Sequence, residues 1–193
     1  MKESKKYKII YADPPWKYGS KSAVNNSTGA EAKKLEEHYP QMSLKELCNM
    51  DIESIADSDC ALFMWVTDSH LNEAIEVYKA WGFKFKTIAF NWIKTTSKGN
   101  FCKNVGPWTM KSSEICLIGT RGTMSKYKLE NNIESLIIAE RTKHSRKPEE
   151  ARRRIERLFG DLPRLEMFAR KASEGWDVFG NEAPNSIEIK NKA

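Results

Sequence analysis

The feature that most restricts the fold is an apolar run that stops on two prolines. Tyr7–Ala12 (YKIIYA) is β-branched and aromatic, and it ends at Asp13-Pro14-Pro15. A buried strand that proline cannot continue fits that pattern. Similar runs follow at residues 60–66 (CALFMWV), 83–93, 114–119 (EICLIG), 135–139, 164–169 (RLEMFA) and 176–179. Helical patterns lie between them. Ser43 and Glu46 form a capping box ahead of a short helix. Residues 69–81 place Leu71, Ala74, Ile75, Val77, Tyr78 and Trp81 at helical spacing, with Ser69 as the cap and Gly82 just beyond the end. Residues 147–159 form a strongly basic helix with Pro148 in its first turn. Strands alternating with helices predict an α/β sheet with crossover connections.

A length of 193 residues suits one domain with a full core. We expect that domain over residues 1–184, followed by a polar, frayed tail at 185–193. Residues 17–34 carry many Gly, Ser and Asn and read as a long functional loop. The net charge of +6 favours an anionic partner such as nucleic acid. Residues 1–7 are charged, and no apolar run approaches the ~20 residues that span a bilayer. The expectation is a cytoplasmic, nucleoid-associated protein with no membrane partner. Cys48, Cys60, Cys102 and Cys116 form no C-x-x-C pair, and His38, His70 and His144 are scattered, so no metal is expected.

A strand that ends in Asp13-Pro14-Pro15-Trp16 carries a chemical message. Ligands in open α/β sheets bind beyond the carboxyl ends of the strands. The prolines stiffen the turn, and the Pro14 carbonyl has no ladder to join, which leaves it to point outward beside the Asp13 carboxylate. Two rigid acceptors suit a planar –NH₂ group, which offers two donors. An adenine amine held that way becomes more nucleophilic, because its lone pair is drawn out of conjugation with the ring. Placement in line with a methyl donor adds proximity, and Trp16 offers an aromatic face for the base.

YADPPW, WVTDSHL, AWGF, the Trp92-x-Lys94 pair, SEICLIGTRG, SRKPEE and EMFARKASEGWDVFGNE follow in order from Tyr7 to Glu182. Together they resemble the MT-A70 family of adenine N6-methyltransferases. The resemblance implies a single-domain, Rossmann-like class I methyltransferase fold in permuted order, with the catalytic motif before the cofactor motif. It implies S-adenosylmethionine as cofactor and Asp13, Pro14, Pro15 and Trp16 as the catalytic residues.

By the same resemblance, the block opened by Glu166 and Phe168 lines the cofactor, with Asp13 beside it. Asn181 and Glu182 are expected on the ribose hydroxyls, an amide and a carboxylate suiting a vicinal diol. Lys147 is expected on the methionine carboxylate at a helix start. Arg170 and Ser173 would complete the pocket, with a surface salt bridge as the alternative for Arg170. Either Ile9, Ile10 or Tyr11 lines the cofactor adenine, or the adenine pocket is more open.

A base inside a duplex cannot reach such a pocket, so it must be flipped or single-stranded. Lys17 and Tyr18 come directly after the catalytic turn and are candidate substrate contacts. Asn91, Trp92 and Lys94 end another strand, and Trp108 sits among lysines on the next loop, a mixture that suits single-strand platforms. Trp65, Trp81 and Phe63 read as core. Arg152, Arg153 and Arg154 cannot share one helix face, so part of this run is solvated surface or pairs with Glu149, Glu150 and Glu156. DNA is the expected substrate, RNA the alternative, and a non-catalytic nucleic-acid-binding partner subunit the rival from another class. The family resemblance also allows a homodimer.

Overall fold

Seven strands order as β5-β3-β4-β2-β1-β6-β7 in one sheet. They are β1 (Tyr7–Ala12), β2 (Ala56–Val66), β3 (Lys84–Thr95), β4 (Ser113–Arg121), β5 (Leu136–Glu140), β6 (Arg164–Ala169) and β7 (Asp177–Gly180). The computed structural model describes residues 5–17, 41–106, 108–142, 146–180 and 182–192. All seven runs recognised in the sequence are strands. β4 runs antiparallel to both its neighbours, β2 and β3, while the remaining pairs are parallel. The carboxyl ends of six strands and the start of β4 therefore share one edge.

Helices cover both faces. On one side lie α1 (Leu44–Asn49) and α2 (Leu71–Ala80). Their Leu47, Ala74, Val77 and Tyr78 pack against Ile10, Ala12, Leu62 and Met64. On the other lies α3 (Glu149–Phe159), whose Ala151, Ile155 and Phe159 pack against Ile9, Tyr11, Phe63 and Trp92. Side chains alternate along a strand, so β1 sends Ile10 and Ala12 to one core and Ile9 and Tyr11 to the other.

The Ser43–Glu46 capping box forms as expected. Gly82 follows α2 with φ of 78°, a conformation other residues adopt at a cost. Ser69 does not cap α2. A 3₁₀ turn, Asp68–His70, precedes that helix, and Ser69 Oγ bonds Thr67 and His70 instead. Pro148 is the N-cap of α3 rather than a residue of its first turn.

The tail past residue 184 is not frayed as far as residue 192. Ile187 and Ile189 pack against the α1–α2 core. The Asp51 N–H donates to the Lys190 carbonyl at 2.8 Å and the Lys192 N–H to Asn49 at 2.7 Å. Two isoleucines at alternate positions give this polar stretch one apolar side, and burying it outweighs fraying.

Candidate active site

The Asp13-Pro14-Pro15-Trp16 turn is pinned at every residue. The Trp16 N–H donates to the Pro14 carbonyl at 2.9 Å, closing a three-residue turn, and the Met42 N–H donates to Pro15 at 2.8 Å. The Pro14 carbonyl is thus already an acceptor, contrary to the sequence expectation, with its second lone pair left over. Trp16 is buried. Its ring stacks on His70 at 5.5 Å and 23°, and its Nε1 donates to the Trp65 carbonyl at 3.3 Å. The indole expected to face a base instead anchors the turn to the end of β2.

Asp13 emerges from β1 toward α3. Lys147, two residues ahead of that helix, places Nζ 2.7 Å from each Asp13 oxygen and 3.3 Å from Glu114 Oε2. Glu114 also pairs with Lys94, and the Lys147 ammonium lies 5.7 Å from the Trp65 ring centroid. Two carboxylates and two ammonium groups alternate along this chain. Burial pushes the Asp13 pKa up, and Lys147 offsets only part of that rise. Burial opposes charge on Glu114 too, but its two lysines more than compensate and hold it below the ordinary value. For Lys147 burial is likewise outweighed, by Asp13 and Glu114, and its pKa stands above the usual lysine value.

Beside this cluster lies a cleft lined by Tyr11, Asp13, Lys147, Glu166, Phe168 and Arg170, among others. Glu166 is held by Arg152, which also pairs with Glu149. Burial raises the Glu166 pKa, and Arg152 offsets part of the rise. Phe168 has φ of 61°, a strained conformation for a non-glycine residue that clusters at functional sites. It packs edge-on against Phe179, and the β6–β7 register shifts as the chain turns there. That turn carries Arg170 to the cleft. The Glu182 N–H donates to the Ala169 carbonyl at 3.2 Å, bringing Glu182 to the same strand end.

Other expected site residues lie elsewhere. Ile10 is fully buried on the opposite face of β1, so Tyr11 takes the place expected of it in the cleft. Trp92 is core, donating Nε1 to the Ala139 carbonyl at 3.0 Å and meeting Trp65 edge-on. Lys94 is buried on Glu114, and Asn91 Oδ1 is buried with no hydrogen-bond partner among the described residues. Lys17 is exposed beside the turn, and Trp108 is exposed on the β3–β4 loop. Tyr18 and Asn181 fall outside the described residues. Arg152 pairs with Glu149 and Arg154 with Glu150, as expected, Arg157 pairs instead with Glu130 outside the helix, and Arg153 remains largely exposed.

Sequence reasoning missed Glu114 and His70. A charged residue at the head of the otherwise apolar EICLIG run is a signal for the first. His70 lies in the WVTDSHL segment, but no spacing there predicts its stacking on Trp16.

A sequence-family model described as MT-A70 matches residues 7–182. The chain belongs to the MT-A70 family. Among its relatives, the Type II methyltransferase M.MunI from Mycoplasma sp is 37% identical over 196 residues, covering 96% of this chain and 82% of that protein. An N(6)-adenosine-methyltransferase MT-A70-like protein of Arabidopsis thaliana is 29% identical over 95% of this chain and 24% of its own length. The human N(6)-adenosine-methyltransferase catalytic subunit METTL3 is 26% identical over 92% of this chain and 28% of its own. The chain thus spans about a quarter of those two longer relatives and most of the first.

MT-A70 enzymes take their methyl group from S-adenosylmethionine, and the charged groups at the cleft match the amino-acid end of that molecule. Beyond the Asp13–Lys147 pair the cleft lining holds a carboxylate, Glu166, and a cation, Arg170, as a zwitterionic amino-acid end requires. Just beyond β6, Ser173 Oγ is buried with no hydrogen-bond partner among the described residues, an orphan that a polar ligand would satisfy.

Proposed function

We propose that this protein transfers a methyl group from S-adenosylmethionine to the exocyclic N6 amine of adenine in DNA. The observation that carries the proposal is the Asp13 carboxylate, held by Lys147 at the end of β1 in a chain matched to MT-A70 over nearly its whole length. The catalytic turn, on β1, precedes the cofactor segment, on β6 and β7, in one permuted domain. Support for DNA comes from the Type II methyltransferase, the relative of similar size, since Type II methyltransferases modify DNA.

Asp13 accepts one amine hydrogen and the spare lone pair of the Pro14 carbonyl accepts the other. The carboxylate has about four lone-pair sites, so the Lys147 pair leaves two free for substrate. Lys147, itself tied to Glu114, keeps the Asp13 carboxylate pointing one way. S-adenosylmethionine supplies, when bound, an electrophilic methyl group. Asp13, its pKa lifted by burial, takes the proton released as N6 is alkylated. Arg170 holds the methionine carboxylate in place of Lys147, whose ammonium is engaged by Asp13 and Glu114. Ser173 and Glu166 complete the polar lining, and Asn181 with Glu182 holds the ribose. No helix among the described residues is long and apolar enough to cross a membrane, and we place the enzyme in the cytoplasm, at the nucleoid.

Labelled S-adenosylmethionine offered with matched DNA and RNA oligonucleotides, followed by nucleoside analysis, tests this reading. N6-methyldeoxyadenosine is the expected product. N6-methyladenosine alone would move the same chemistry to RNA, and cofactor binding without transfer to either would favour a non-catalytic partner subunit. Asp13→Ala is expected to abolish transfer while cofactor binding, followed by calorimetry, is retained; strong residual turnover would overturn the role of Asp13.

A further inference from the structure

The β3–β4 connection is a built projection. Antiparallel bridges join Thr95 to Phe101 and Asn104 to Lys111. Asn104 and Lys111 exchange both backbone hydrogen bonds, at 2.9 and 2.7 Å, and Ser112 Oγ donates to the Cys102 carbonyl at 2.6 Å. Arg141 reaches across to Asn104 Oδ1 at 3.0 Å. At the turn, a Cβ on Gly106 would sit 2.6 Å from the Thr109 carbonyl oxygen, so only glycine lets the chain close so tightly.

This stem supports an apolar tip that nothing in the described chain covers. Trp108 is 96% exposed and Val105 81%, with Met110 and Phe101 also exposed. Lys98 and Lys103 are exposed on the same loop. An ordered stem that holds a tryptophan in water marks a surface for a partner, and the flanking lysines make that partner anionic.

The stem is rooted at the active site on two sides. Lys94, at its base, pairs with Glu114, which shares Lys147 with Asp13. Lys111 pairs with Asp68, in the turn whose His70 stacks on Trp16. The hairpin therefore rises from the same edge of the sheet that carries Asp13.

We infer that this hairpin is the element that opens double-stranded DNA, inserting Trp108 into the stack beside the target and filling the gap left by the extruded adenine, while Lys98 and Lys103 hold phosphates. The inference rests on the DNA reading above. A paired base must leave the helix to be methylated, at a cost that an already unpaired base escapes. Apolar side chains wedged between base steps stabilise such openings, and an aromatic face stacks on any base.

The test compares wild type, Trp108→Ala and Trp108→Phe on three DNAs of one sequence. These are a paired duplex, the same duplex with an abasic site opposite the target, and the single strand. We expect Trp108→Ala to lower kcat/KM on the paired duplex by about 10- to 100-fold. The loss should be much smaller on the other two DNAs, and Trp108→Phe should restore most of it. An equal loss on all three substrates, no loss on any, or a greater loss on the single strand would each overturn the wedge. So would conversion of a wild-type dimer to monomer by Trp108→Ala with uniform loss, which would make the tip a subunit contact. Wild-type transfer to DNA with the wedge pattern absent sinks the wedge alone; no wild-type transfer to any of the three DNAs sinks the DNA reading with it.

Discussion

The two faces of β1 solve different problems. On the α1–α2 side Ile10 and Ala12 enter a core of apolar side chains, with Trp81 and Tyr78 fully buried among them. On the α3 side Tyr11 leads to Asp13, and the core ends in the alternating Asp13–Lys147–Glu114–Lys94 chain. Apolar burial stabilises without regard to direction. Buried ion pairs contribute little net stability, because desolvation consumes most of the Coulomb gain, yet removing one partner is costly. The first face holds the sheet together, and the second holds a carboxylate in one orientation.

Trp81→Ala breaks this comparison hardest. Its ring is fully buried and its Nε1 donates to the Leu47 carbonyl at 2.7 Å. The substitution should cost about 3–5 kcal/mol in urea unfolding. Methyl transfer per folded molecule should stay near wild type.

Glu114→Gln acts on the other face. It leaves Lys94 without its carboxylate and Lys147 with Asp13 alone. We expect a loss of about 2 kcal/mol in stability and a fall in kcat larger than any change in KM for cofactor. A kcat equal to wild type would show that Lys147 is oriented without Glu114.

The smallest effect is a pH dependence. Glu114 is held below its ordinary value, as is Glu149, at about 2, where burial is outweighed by hydrogen bonds from Arg152 and others. An acid depressed by folding stabilises fully above its unfolded pKa and loses that contribution as pH falls through the folded value. Thermal stability should therefore weaken from about pH 5 toward pH 2. Asp13 and Glu166, both raised, work in the opposite direction. The decline should be shallower in Glu114→Gln than in wild type, and an unchanged profile would remove Glu114 from the account.

The fold was legible because its signals are local. Seven apolar runs with turn residues between them, a capping box at Ser43, and Gly82 behind an amphipathic helix all act within a few residues. The reversed direction of β4 was not, since pairing between segments far apart in the chain leaves no mark in either strand. Ile187 and Ile189 were legible only in part, because two apolar residues in a polar tail gain meaning from the core they meet.

The sequence by itself determined the strand that ends on Asp13, the prolines that stiffen the turn after it, and the residue types of an amine-methylating site. Only the tertiary structure decided which groups face one another. It set Lys147 on Asp13, brought Glu114 between two lysines, turned Trp16 and Trp92 into the protein, and left Trp108 outside. The physical reason is range. Propensity and turn chemistry act over a few residues, whereas the Asp13–Lys147 bond joins positions 134 residues apart, and such a contact exists only once sheet and helix have packed.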